Sequence, residues 1–182
     1  MENFLENTFK NFNQSIMEID WYSNIGNLNT NNNLILINDY LCSINKNANI
    51  SLIKNWQEAA VLINSKNFDN DIWEKEEKEQ KHLYKKIIKN HSEVDLIKHL
   101  SIIAQNSYKI VNRSLDNISK KNKINDQYFF KVAGGAVGLI CHQKMLALFG
   151  EAKKNHMFNT KFKIFSIGNW PLTLHKNKIS IF

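Results

Sequence analysis

The sequence predicts an α+β fold, mainly helical, in which five or six helices precede a small C-terminal antiparallel β meander. Apolar residues recur at three- and four-residue intervals through most of residues 1–150, the repeat of an amphipathic helix. After about residue 160 the repeat shortens to two, as in a half-buried strand. With 182 residues, 43% of them hydrophobic, and eleven Phe, five Tyr and four Trp, the chain has the material for one core. The expected organisation is a single domain over residues 1–182, helical over about 1–150, with the meander over about 161–182.

Phe4, Leu5, Phe9, Phe12, Ile16 and Ile19 form one stripe and predict a first helix reaching about Trp21 or Tyr22. Gly26 and six asparagines within residues 24–33 predict a polar connection. Leu34, Ile35, Leu36 and Ile37 are too short a run to classify by period, but Tyr40, Leu41 and Ile44 extend it as a helix rather than a strand. Leu52, Ile53, Trp56, Ala59, Ala60 and Ile63 have helical spacing behind Ser51, a possible N-cap. A fourth helix starts near Asp71 and ends in Lys85, Lys86 and Lys89, acid early and base late as the helix dipole favours. Its apolar face is Trp73, Leu83, Tyr84, Ile87 and Ile88, and Glu74, Glu76, Glu77 and Glu79 read as a solvated face rather than a metal site.

Ser92, followed at the third position by Asp95, has the spacing of a capping box. It opens the clearest stripe of the chain, Val94, Ile97, Leu100, Ile103, Ala104, Tyr108, Val111, Leu115 and Ile118. Residues 120–125 are a polar break, Asp126 is an N-cap, and the next helix carries Phe129, Phe130, Ala133, Val137, Ile140, Met145 and Leu148 before Gly150 stops it. Gly134 and Gly135 inside it each cost about 1 kcal/mol of helix propensity against alanine, which predicts a close contact with another helix, tested at Gly135. From Lys161 the alternation of Phe162, Ile164 and Ile167 with Lys161, Lys163 and Ser166 predicts a strand. Gly168-Asn169-Trp170-Pro171 connects it to a second strand at residues 172–174, and His175-Lys176-Asn177 turns into a third at 178–182.

The net charge of +7 is local. Residues 120–182 hold eleven lysines against Asp126 and Glu151, whereas the first 119 residues hold thirteen basic and fifteen acidic side chains. The basic C-terminal part is therefore the candidate binding face. Lys144, Lys153, Lys154, Lys161, Lys163, Lys176 and Lys178 would supply the charge and Trp170 an apolar anchor. A single arginine, Arg113, beside 23 lysines argues against sequence-specific reading of nucleic acid. Low-specificity attachment to RNA or DNA, with Phe165, Trp170 and Phe182 as stacking aromatics, is the rival role.

Catalytic motifs are absent. There is no Gly-x-Ser-x-Gly turn, no pair of histidines with zinc-protease spacing and no Cys-x-x-Cys, and the adjacent Cys141 and His142 point in different directions from a helix. The expectation is a protein with no enzymatic activity, metal or cofactor. A metal-independent nuclease drawing on His156, Lys161 and His175 is the enzymatic alternative, because general acid and base need not be contiguous. Cys42 and Cys141 sit far apart among apolar residues and read as buried free thiols in a reducing compartment. The N-terminus lacks the basic start and apolar stretch of a signal peptide, and the apolar run at residues 132–141 is shorter than the roughly 20 residues that span a bilayer. A cytoplasmic protein without membrane contact is expected.

With Phe162-Lys163-Ile164-Phe165-Ser166-Ile167-Gly168-Asn169-Trp170-Pro171 at its end, the chain resembles small bacterial immunity proteins of contact-dependent inhibition and polymorphic toxin systems. The likeness lies in modest size, low-GC composition and helices followed by a small sheet, and by pattern it covers the last third. It implies a cytoplasmic, non-enzymatic protein that neutralises one cognate toxin domain by stoichiometric binding. Immunity proteins facing basic nuclease toxins are commonly acidic. This chain is basic, so its partner would present an acidic surface or bind chiefly through apolar contacts.

Overall fold

The computed structural model describes residues 2–28, 31–65 and 70–182. In chain order the elements are α1 (Glu2–Ser15), α2 (Asn31–Ser43), β1 (Asn49–Leu52), α3 (Trp56–Asn64), α4 (Asn70–Ile87), α5 (Glu93–Asn122), α6 (Gln127–Phe149), α7 (Met157–Ser166), β2 (Pro171–His175) and β3 (Lys178–Ile181). The expected fold class is corrected in two ways. Among the described residues there are seven α-helices rather than five or six, and the sheet is mixed rather than an antiparallel meander.

Residues 161–166 are the source of the first correction, because they belong to α7 rather than to a strand, and Ile167 is its C-cap. His156 caps this helix by accepting the Phe158 N–H at 3.2 Å, and Met157, Phe158, Ile164 and Phe165 are its buried apolar residues. Begun at Met157, the spacing is helical. The alternation that starts at Lys161 is a fragment of that longer pattern. The second correction comes from β1, which pairs in parallel with β3 from Asn49↔Lys178 to Leu52↔Ile181, while β2 pairs with β3 antiparallel, giving the order β1-β3-β2. Ser51 therefore lies in a strand. The cap of α3 is Asn55, whose side-chain oxygen accepts the Glu58 N–H at 2.9 Å.

The first helix is also shorter than its stripe. It ends at Ser15, a 3-10 turn follows at Ile16–Glu18, and Trp21 is buried beyond it with its indole N–H on the Ile16 carbonyl at 3.1 Å. Residues 29–30 of the asparagine-rich connection lie outside the described residues, and α2 begins at Asn31. Residues 34–37 are helical, as expected. Ser92 caps α5 on the Asp95 N–H, and Asp126 caps α6 on the Tyr128 N–H at 2.8 Å. The polar break before α6 is narrower than expected, since α5 runs to Asn122 and closes on Lys123 in the left-handed region at φ +54°.

That short link folds α5 back along α6, the most extensive helix contact of the molecule. A Cβ at Gly134 would overlap the Tyr108 ring of α5, whereas among the described residues no other element comes within 4 Å of one at Gly135. The close contact is thus at Gly134, and the expectation for Gly135 is corrected. α6 also carries a long apolar stretch. At 23 residues it is long and apolar enough to cross a bilayer by those two measures, which the ten-residue run alone did not reveal, and more than half of its most apolar window is buried inside the fold.

One continuous core draws on all seven helices and on β2 and β3. Trp56 links its helical and sheet parts, lying 6.4 Å from Trp170 with the rings nearly parallel and donating its indole N–H to Asp126 at 2.6 Å. Trp170 and Phe182 exchange backbone hydrogen bonds of 2.6 and 2.8 Å that prolong the β2–β3 pairing. Gly168, at φ +83°, leaves no room for a Cβ against Ser23 and Asn24, so the Gly-Asn-Trp-Pro connection is seated directly on the residues that follow α1.

Candidate functional site

An open apolar cleft of about 570 Å³ lies where α4, α6 and the β2–β3 hairpin face one another. The helical repeat brings Ile72, Trp73 and Glu76 of α4 to one wall, and Val132, Gly135, Ala136 and Leu139 of α6, at i, i+3, i+4 and i+7, to another. The hairpin adds Pro171 to Leu174 and Ile179. Trp73 is 61% exposed and Leu139 38%, so the rim carries large apolar surface that the fold leaves uncovered.

Glu76, only 4% exposed, is the centre of the polar floor. Its Oε1 accepts from Lys161 Nζ at 2.6 Å and from Tyr40 Oη at 3.4 Å, and its Oε2 accepts from Gln143 Nε2 at 3.2 Å. Burial, and then the neighbouring carboxylate, hold the Tyr40 phenol well above its ordinary range, so it stays a donor. The other amide atom, Gln143 Oε1, is buried with no hydrogen-bond partner among the described residues. One turn further along α4, Glu79 meets His156 Nε2 at 2.9 Å. With His156 Nδ1 accepting the α7 cap bond, Nε2 is the ring nitrogen that faces Glu79. Two side-chain bridges thus join α4 to α7 beneath the cleft.

Sequence reasoning placed Glu76 and Glu79 on the wet face of α4 and Trp73 on its apolar face; the structure reverses Glu76 and Trp73 and half-buries Glu79. The signal was available. Counting back from the buried Leu83 and Ile87 by seven and by eleven lands on Glu76, and Leu83 by eleven also gives Ile72, so the inward face is set by the second half of the helix.

The eight residues expected to form the basic binding face are divided among four places. Trp170 is in the core at 5% exposure, and Lys161 is in the cleft floor. Lys176 and Lys178 are exposed at the β2–β3 turn. Lys144, Lys153, Lys154 and Lys163 gather around the α6–α7 junction and α7 itself. Lys144 Nζ donates to Asn159 Oδ1 at 2.6 Å and lies 5.7 Å from the Phe162 ring centre. Burial, and then the charge of Lys163, push its pKa down to about 8. Lys154 and Lys163 line a polar recess of about 330 Å³ with Asp39, Cys42, Ser43, Asn155 and Thr160. His175, the third member of the nuclease alternative, is at the end of β2 and does not line the cleft that Lys161 lines.

Both cysteines are free, but only Cys141 is buried, its thiol pushed up to about 12 by burial; Cys42 is exposed, a correction to the expected burial. Among the described residues no three His, Cys, Asp or Glu side chains converge in a way that could hold a metal ion. Compared with protein-family models, with curated proteins and with solved structures, the chain matches none.

Proposed function

We propose that this is a non-enzymatic binding protein whose cognate protein partner seats an apolar anchor in the cleft between α4, α6 and the β2–β3 hairpin. The observation that carries this reading is the combination of open apolar walls with Trp73 61% exposed on the rim. A polypeptide seated there would cover that indole together with the walls, and buried aromatic anchors are where protein interfaces concentrate their affinity. The floor is already charge-balanced by Glu76 and Lys161, so an apolar side chain entering it meets a satisfied ion pair rather than a free charge. Exposed Lys131 and Lys178 adjoin the cleft residues Val132 and Ile179 in sequence and favour an acidic surface on the partner. Following the resemblance to immunity proteins, the partner is a toxin domain that the protein neutralises one to one.

Co-expression with the products of the two neighbouring genes tests this. The expected result is a one-to-one complex that survives moderate salt and is lost in Gly135→Leu, which fills the cleft from an exposed helical position, and in Trp73→Glu, with both variants still folded. A complex indifferent to both substitutions would remove the cleft from the interface. Isolation solely with nucleic acid that washes off as salt rises would overturn the protein-partner reading.

A further inference from the structure

We propose that the recess between α2 and α7 is a seat for a phosphate-type oxyanion, either inorganic phosphate or a small phosphomonoester. It is independent of the cleft, because Lys161 and Lys163, two positions apart on α7, point about 200° apart around the helix.

Positive charge converges here without a protein counter-charge to match it. Lys154, from the α6–α7 link, and Lys163, from α7, line the same recess, and neither is in an ion pair among the described residues. Lys144 of α6 is half-buried and close enough to Lys163 to feel its repulsion. Its hydrogen bond goes to a neutral amide, Asn159, which is itself fixed by donating to the Lys153 carbonyl at 2.8 Å. Among the described residues Asp39 is the one carboxylate lining the recess, and the two lining ammonium groups outnumber it, with Lys144 adding to the positive side. A bound oxyanion would offset that excess.

The remaining lining fits that chemistry. Ser43 and Thr160 close the contact between α2 and α7 at 2.9 Å, one hydroxyl donating to the other while the second keeps its proton on a carbonyl of its own helix. They form a fixed wall. The groups left to bind are the two lysine ammoniums and the Asn155 amide, the compact point-charge donors that lysine supplies to phosphates. At about 330 Å³ the recess has room for a phosphate carried on a small organic group.

The test is calorimetric titration with sodium phosphate and, separately, phenyl phosphate, against sodium chloride of equal ionic strength, together with melting in each salt. Saturable binding and a rise in Tm specific to the phosphates are expected. Lys154→Ala and Lys163→Ala, at exposed positions, should each weaken binding about 10-fold or more, while Lys176→Ala, at the distant hairpin, should leave it unchanged. Preference for phenyl phosphate over inorganic phosphate would identify the ligand as a phosphomonoester, and equal affinity would identify the free ion. Equal effects of chloride, or full binding by Lys163→Ala, would overturn the proposal. So would binding of a single-stranded oligonucleotide with steep salt dependence and no saturation by phosphate, because the lysines would then be serving a polyanion diffusely.

Discussion

The contact of α5 with α6 and the attachment of α4 to α7 are solved by different physics within one small protein. Along the first, apolar side chains interdigitate and Gly134 lets the Tyr108 ring lie against the backbone, so the space between the helices is filled. Across the second, Glu76 reaches Lys161 and Glu79 reaches His156 through long polar side chains. Helices that interdigitate leave no void. Helices that are bridged stay further apart, and the cleft opens above the bridge. A solid core and a binding cavity therefore differ here in what spans the gap.

The sharpest way to break this comparison is to truncate one group from each contact. Glu76→Ala strands Lys161 beside unpaired Tyr40 and Gln143 and should cost about 3–5 kcal/mol, while Leu115→Ala in α5 should cost about 2–5 kcal/mol through a cavity. The two separate in the paired replacement. Glu76→Leu with Lys161→Met removes both charges together and should recover most of the loss, read as the midpoint of urea unfolding at an unchanged m-value. No recovery would mean that the bridge is not what holds α4.

Asp126→Ala comes next, because it removes both the cap of α6 and the acceptor for the Trp56 indole, for about 1–3 kcal/mol by the same measurement. Gly135→Ala should stabilise by about 0.5–1 kcal/mol, since the position is helical, exposed and open. Gly134→Ala should gain less or nothing, because the Tyr108 ring must move to admit the methyl group. If the two substitutions matched, the close approach of α5 to α6 would not be at Gly134.

The smallest effect is a slope. Lys144 has a pKa lowered to about 8 from an ordinary 10.5. As pH rises through 8 the folded chain gives up this proton while the unfolded chain keeps it until near 10.5. In that interval the unfolded state binds more protons, so stability rises with pH, and below 8 the penalty is constant. Lys144→Met abolishes this contribution, and comparing wild-type and variant unfolding midpoints at pH 7 and 9.5 isolates it.

Long stripes and caps were readable in the sequence because each is a local decision. Ser92 and Asp126 cap their helices as their side chains require, and the stripes of α5 and α6 need no distant partner to be recognised, although Val94, Ile97 and Tyr108, read into the first, are exposed and Leu96 is buried instead. The misreadings fall where distant residues decide. Asn49 to Leu52 become a strand because β3 offers them an edge, and nothing within those four residues requires it. Lys161 alternates like a strand residue yet is helical, its ammonium drawn to a carboxylate 85 positions earlier. The candidate site was hidden for the same reason. Its floor joins α2, α4, α6 and α7, and the lysines that share a sign in the sequence do not share a surface in the fold.

The parallel pairing of β1 with β3 sets a clock on synthesis. Asn49 and Lys178 are 129 positions apart (178 − 49). At roughly 5–20 residues per second, β1 leaves the ribosome on the order of ten seconds before the strand that sits between it and β2 exists. Through that interval α5 and α6 have time to close as a local hairpin while β1 waits with an open edge. The helical hairpin is thus a scaffold finished early, and the hairpin wall of the cleft is the last part to be set in place.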